Sequence, residues 1–263
     1  MPKSDGQTAR VCLLASLLLP SLLLSACHSG PPIPPGSSRA EERKKMASID
    51  TQLGIEYMRE GNNALALKRL QKALSLEPNS VDAHNTLGLL YSQLREYDLA
   101  ESSFKSALRA EPGNSFALNN YGQFLCQQQR HAEGQKNFLA AVKNPLYDTP
   151  EVAYTNAGLC ALDVKDTTAA EGYFRAALSS NPDMRAALLP MGQISLDRQD
   201  PIEASRYLAR YLRFGPQVPR SLALGIRIER QLNHPDKVAS YELMLRNQFP
   251  DSRETGQLLR GEL

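Results

Sequence analysis

The sequence predicts an all-α fold, a right-handed superhelical solenoid of about six helix-turn-helix repeats, on three observations. From Val81 to Pro112, His84, Leu87, Gly88, Tyr91 and Leu94 recur at three- and four-residue intervals, as do Tyr97, Ala100, Phe104, Ala107 and Leu108, so each set marks one face of a helix. The markers Leu87, Gly88, Tyr91, Ala100, Phe104, Ala107 and Pro112 have copies at Leu53, Gly54, Tyr57, Ala66, Leu70, Ala73 and Pro78, each offset by 34 residues. The 263 residues are 42% hydrophobic and 22% charged, with no tryptophan and little β-branched alternation, the composition of a folded helical chain.

Gly88 and Ala100 are small where two antiparallel helices approach, Phe104 fills the wider gap beside them, and Pro112 ends the second helix. Such a pair leaves an apolar face exposed and is stable only when stacked on further copies. These marker positions resemble the tetratricopeptide repeat. In that family the first helix of each pair lines a concave groove.

The N-terminus reads as a separate object. Lys3 and Arg10 precede an apolar run from Val11 to Leu24, too short to span a bilayer and arranged like an export signal covering residues 1–26. Leu24, Ser25, Ala26 and Cys27 resemble the bacterial lipobox, in which cleavage precedes a cysteine that is then acylated. At about 0.8 kcal/mol per buried CH₂, several acyl chains on Cys27 anchor a domain without a spanning helix. His28 stands where aspartate favours inner-membrane retention in bacterial lipoproteins, so that resemblance implies an outer-membrane, periplasm-facing chain. Residues 27–46, rich in proline, glycine and serine at their start, are expected to form a flexible tether.

Six repeats follow, at 47–80, 81–114, 115–150, 151–184, 185–217 and 218–250, and a capping segment at 251–263. The third keeps Tyr121, Gly122, Phe138 and Ala141 but has Gly134 for the marker alanine, and its close from Asn144 to Pro150 adds two residues, putting Gly158 36 positions after Gly122. The fourth carries Ala157, Gly158, Ala161, Ala170, Phe174, Ala177 and Pro182. The fifth has Met191, Gly192, Ala204, Leu208 and Pro216, with Tyr211 at a normally small position and Pro190 inside the first helix, implying a kink or a late start. The sixth, with Leu224, Gly225, Ile228, Tyr241 and Pro250, departs furthest, as a terminal unit with one wet face does.

The net charge of +2 gives no reason to expect nucleic acid. His28, His84, His131 and His234 lack ligand-spaced partners, and no phosphate loop, zinc-protease helix or nucleophile elbow is present, so no metal, cofactor, small-molecule substrate or catalysis is expected. The chemistry expected is recognition. Asn85, Asn119, Asn120 and Asn156 fall at equivalent places in successive first helices, where amides both donate to and accept from an extended peptide; the alternative is that some bond to a neighbouring helix. Leu89, Phe116, Gln123 and Leu159 are expected beside them as contact residues. Cys12 leaves with the signal and Cys27 takes lipid, so Cys126 and Cys160 remain to pair in an oxidising compartment, or else stand as two separate thiols. Arg206, Arg210, Arg213, Arg220, Arg227 and Arg230 make a basic run that could meet lipid phosphate or an acidic partner, although a solvated helix face is the simpler reading.

The signal, the lipobox and the repeats together, with AHNTLGLLYSQL in repeat two, NNYGQFLC in repeat three and PLYDTPEVAYTNAGLCAL across the following loop, resemble the type IV pilus biogenesis lipoproteins of the pilotin family. That resemblance covers the mature chain. It implies a monomeric, non-enzymatic outer-membrane lipoprotein that binds the subunits of a pilus secretin and promotes their localisation and multimerisation. Two other classes share these features: a lipoprotein adaptor in outer-membrane β-barrel assembly, and one that recruits peptidoglycan hydrolases.

Overall fold

The computed structural model describes residues 37–263. The signal segment, Cys27 and the start of the tether lie outside the described residues. Within them are thirteen helices and no strands, arranged as six antiparallel pairs and a closing helix. The pairs are α1 (Ser37–Arg59) with α2 (Asn63–Leu76), α3 (Val81–Gln93) with α4 (Tyr97–Ala110), α5 (Ser115–Gln127) with α6 (His131–Ala141), α7 (Pro150–Asp163) with α8 (Thr167–Ser180), α9 (Arg185–Asp197) with α10 (Pro201–Arg213), and α11 (Pro219–Gln231) with α12 (Pro235–Gln248). The last helix, α13 (Arg253–Leu259), packs on α11 and α12.

One assignment is corrected at the start. Residues 37–46, read as tether, are the opening turns of α1. Ala40 to Lys45 are strong helix formers, and the Arg43 guanidinium donates to the Leu76 carbonyl at 3.2 and 2.8 Å, satisfying the end of α2. Pro190 does not mark a late start either, since α9 begins at Arg185 and continues through it.

The close approach of each pair rests on glycine. A Cβ on Gly88 would meet the Phe104 ring at 2.6 Å, on Gly122 the Phe138 ring at 2.8 Å, and on Gly158 the Phe174 ring at 2.5 Å. These three rings are almost fully buried, and Phe104 continues into the next repeat, 5.7 Å from the Tyr121 ring and 5.6 Å from that of Phe124. The array is thus a string of small cores, each shared between neighbouring repeats.

The turn inside every pair has one residue with positive φ: Gly61 at 75°, Arg95 and Gln129 at 63°, Lys165 and Gln199 at 61°, and Asn233 at 57°. Beyond each, an amide reaches back five residues, as from Glu96 to the Tyr91 carbonyl at 2.9 Å and from Asp166 to Ala161 at 2.9 Å, closing the helix in a Schellman-type turn. Non-glycine residues pay a steric cost in this conformation. Exposed Lys165 is a clean place to remove it: Lys165→Gly is expected to stabilise by about 0.5–1 kcal/mol, read as a higher urea midpoint at unchanged slope, while Gly61→Ala shifts the midpoint down.

An ionic cluster ties repeats two and three. Glu101 pairs with Lys105 at 2.8 Å and Arg130 at 2.9 Å and accepts from the Tyr121 hydroxyl at 2.9 Å. Lys105, then Arg130 and Tyr121, hold the Glu101 carboxyl down at about 2, and burial with the Glu101 bond pushes the Tyr121 hydroxyl up to about 12. Because the folded pKa of Glu101 lies below its ordinary value of 4.5, its contribution is complete above that value and is lost as the pH falls toward 2. With Lys105 54% exposed, solvent screening reduces the effect. Glu101→Gln should cost about 2 kcal/mol at pH 7, and the gap to the parent in urea melts should close as the solution is taken below pH 4.5.

Candidate protein-binding groove

Each first helix packs closely on the next, from α1 through α3, α5, α7 and α9 to α11, whereas the second helices stand further apart, α8 reaching α6 through the Tyr173 hydroxyl, which donates to Gln135 Oε1 at 3.0 Å. Elements that crowd lie on the inside of a curve, so the first helices line the concave face. One register position runs along it as Leu89, Gln123, Leu159, Gln193 and Arg227, spaced by 34 residues except for 36 across the long loop.

The four asparagines form a chain of amides. Asn156 Nδ2 donates to Asn119 Oδ1 at 3.0 Å, Asn119 Nδ2 to Asn120 Oδ1 at 3.4 Å, and Asn120 Nδ2 to Asn85 Oδ1 at 3.2 Å. The zigzag follows a constant one-residue offset between successive first helices, in which Asn85 and Asn119 share one register position and Asn120 and Asn156 the adjacent one, and the two-residue insertion before α7 leaves that offset unchanged. Asn119, buried at 6% exposure with both ends of its amide engaged, is a strut between repeats and not a contact residue. The half-buried Asn85 and Asn156 stand at the ends of the chain, with Asn85 Nδ2 and Asn156 Oδ1 free of protein partners among the described residues.

Two concavities along this face are formed by the described residues. The smaller, about 320 Å³, lies between α3 and α5 and is lined by Leu89, Asn120 and Gln123 with Met58, Gln93 and Gln127. The larger, about 620 Å³, is bounded by α7, α9, α11 and the α13 end of the chain, and holds Leu159. Phe116 belongs to neither. It lies edge-on to Tyr147 at 5.3 Å, where the long loop is pinned by the buried Tyr147 against Leu118, Ala141 and Ala153.

Between the two concavities Cys126 of α5 and Cys160 of α7 are bonded, their Cα atoms 5.8 Å apart. The sulfur explains Gly134, the departure from the alanine marker. A Cβ there would lie within the contact radius of Cys126 Sγ and 2.8 Å from the Gly122 carbonyl, so the disulfide occupies the volume that an alanine methyl fills in other repeats.

The basic run is dispersed. Arg206 pairs with Glu203 at 3.0 Å, Arg210 donates to the Pro182 carbonyl, Arg213 lies over Phe214, and Arg230 pairs with Glu242 at 2.7 Å. Arg220 and Arg227 enter the larger concavity. His84 sits at the rim of its repeat with Nε2 2.9 Å from the Pro78 carbonyl. Of this larger concavity, Leu159 and, within the basic run, Arg220 and Arg227 were singled out from sequence, whereas Arg185 and Gln193 were missed, although Gln193 and Arg227 continue the position of Leu159 by steps of 34.

Comparison with known proteins agrees with this architecture. The tetratricopeptide repeat family model matches residues 51–115, 85–145 and 155–219. The type IV pilus assembly protein PilF of Pseudomonas aeruginosa is 32% identical over 247 residues, covering 94% of this chain and 96% of that protein. The solved structure of P. aeruginosa PilF superposes with a TM-score of 0.78, covering 84% of this chain and 99% of that one. PilW, a widely conserved type IV pilus biogenesis factor, superposes with a TM-score of 0.73 at 30% identity, covering 81% and 98%. With similarity extending over nearly the whole length of both chains, this protein belongs to the PilF family of tetratricopeptide-repeat proteins that serve type IV pilus biogenesis.

Proposed function

We propose that the chain is a non-enzymatic outer-membrane lipoprotein that binds subunits of the pilus secretin and promotes their outer-membrane localisation and multimerisation. The observation that carries this reading is the full-length similarity to PilF, coupled to a lipobox-like tetrad ending at Cys27. The acyl chains on Cys27 hold the complex at the periplasmic face of the outer membrane. The concavity of repeats one to three holds an extended secretin segment: Leu89 gives it an apolar contact, while Asn85 Nδ2 and Gln123 offer polar contacts to its backbone.

The test is membrane extraction under conditions that preserve secretin multimers. Cys27→Ala should shift the secretin from multimer to monomer with porin levels unchanged. Leu89→Asp should have the same effect with the lipoprotein still anchored. Fully assembled multimers in the Cys27→Ala strain would refute the anchoring role, and parallel loss of porins would favour a general barrel-assembly adaptor.

A further inference from the structure

The larger concavity has a chemistry that the smaller one lacks. Its apolar floor comes from Leu159, Leu189, Pro190 and Leu224, over a volume of about 620 Å³. Pro190 has no N–H to give the Ala186 carbonyl four residues earlier, and both residues line the wall, so a helical acceptor is left there without its usual donor. An extended peptide supplies N–H groups of that kind.

The charges lie unevenly around it. Arg227 shares Asp197 at 3.3 Å and Gln193 at 2.8 Å, and the same Asp197 oxygen accepts from Gln193 Nε2 at 2.6 Å, so this end is closed on itself. At the other end Arg185 donates, among the described residues, only to neutral carbonyls, Tyr211 at 3.2 Å and Pro216 at 2.7 Å, and lies 4.0 Å over the Tyr211 ring. Exposed Arg220 has neither an ion pair nor a side-chain hydrogen bond among the described residues. Glu254 of α13 lines the cavity without pairing either of them. Two guanidinium groups therefore border an apolar floor without a carboxylate bound to them. Guanidinium is the side chain best matched to a carboxylate, through paired N–H donors.

We propose that this cavity is a second peptide site, separate from the one assigned to the secretin, and that it takes an extended internal segment of a partner protein with one acidic side chain beside an aliphatic or aromatic one. The carboxylate lies at Arg220 and Arg185, the apolar side chain sits on Leu189 and Leu224, and backbone N–H groups meet the Ala186 carbonyl. An internal segment fits better than a chain end because the concave face continues from Leu159 toward Gln123, leaving a path for the peptide beyond the cavity.

The experiment uses the full-length lipoprotein in detergent and a panel of fluorescent, terminally blocked nonapeptides. Each carries one Glu next to one Leu or Phe in a Gly-Ser background, and binding is read by anisotropy. At least one peptide should bind, its Gln counterpart should bind about tenfold more weakly, and added salt should weaken the complex. Arg220→Glu, at an exposed position, should lower affinity by at least about tenfold with an unchanged circular dichroism spectrum, whereas Asn85→Asp and Leu89→Asp should leave it within about twofold. Failure of every peptide to bind, or indifference to Arg220→Glu, overturns the proposal. Binding only by peptides with a free C-terminal carboxylate overturns the internal-segment form, and loss with Leu89→Asp places the peptide in the other concavity.

Discussion

Gly134→Ala is expected to destabilise the oxidised protein by about 3 kcal/mol, and most of that penalty should vanish when Cys126 and Cys160 are both alanine. At four of the five corresponding positions, Ala66, Ala100, Ala170 and Ala204, a methyl group is fully buried between the helices of a pair. In repeat three the sulfur of Cys126 fills that volume, and an added Cβ also meets the Gly122 carbonyl at 2.8 Å. The second contact is with backbone and is relieved only if the two helices part slightly, so a smaller residual cost should survive in the cysteine-free background. The cysteine-free parent has its own loss: opening a loop of 34 residues removes roughly 3–4 kcal/mol on the chain-entropy account. The test is a double-mutant cycle of urea melts on four proteins. A Gly134→Ala penalty of equal size in both backgrounds would mean that the sulfur is not what excludes the methyl group.

The repeat was legible because its markers are packing constraints that few residue types satisfy. Gly88 under Phe104 or Gly158 under Phe174 admits no side chain, so the constraint is written into the sequence at each recurrence. The turns were less legible. Left-handed backbone advertises itself at Gly61, but Arg95, Gln129, Lys165, Gln199 and Asn233 adopt the same conformation without glycine, held by the bonds that close each helix. Gly134 became intelligible only through a contact with Cys126, eight residues away along the chain but against it in space.

The groove was half legible for a similar reason. Counting by 34 carries Leu159 to Gln193 and Arg227, so the first-helix wall of the larger concavity could be read from the sequence. Its other wall comes from α13, through Glu254 and Gln257, and a closing segment has no repeat from which to be inferred. The asparagine row was visible, but not its use. Whether an amide faces a ligand or its neighbour depends on the stagger between helices, which sets Asn120 opposite Asn85 and Asn156 opposite Asn119 alike, across a junction of ordinary length and one with two inserted residues.

That stagger separates two substitutions that look equivalent. Asn119→Asp is expected to cost about 3 kcal/mol at pH 7, and Asn85→Asp less than about 0.5. Asn85 uses its oxygen to accept from Asn120 Nδ2 at 3.2 Å, and a carboxylate accepts equally well at a half-buried site, so the chain of amides survives with a negative charge added to the groove. Asn119 must both accept from Asn156 at 3.0 Å and donate to Asn120 Oδ1 at 3.4 Å, and it is 6% exposed. A carboxylate there sets two acceptors against each other and buries a charge without a cation beside it. Burial raises the pKa of such a group, so protonation in mildly acid solution restores a donor and removes the charge; the Asn119→Asp penalty should shrink between pH 7 and pH 5, opposite in sign to the fading of the Glu101 contribution in acid. Urea melts of both variants at the two pH values decide the point. Equal, small, pH-independent effects would show that the amide chain does not brace the repeats, and Asn119 would then return to the set of groove contacts from which its burial removes it.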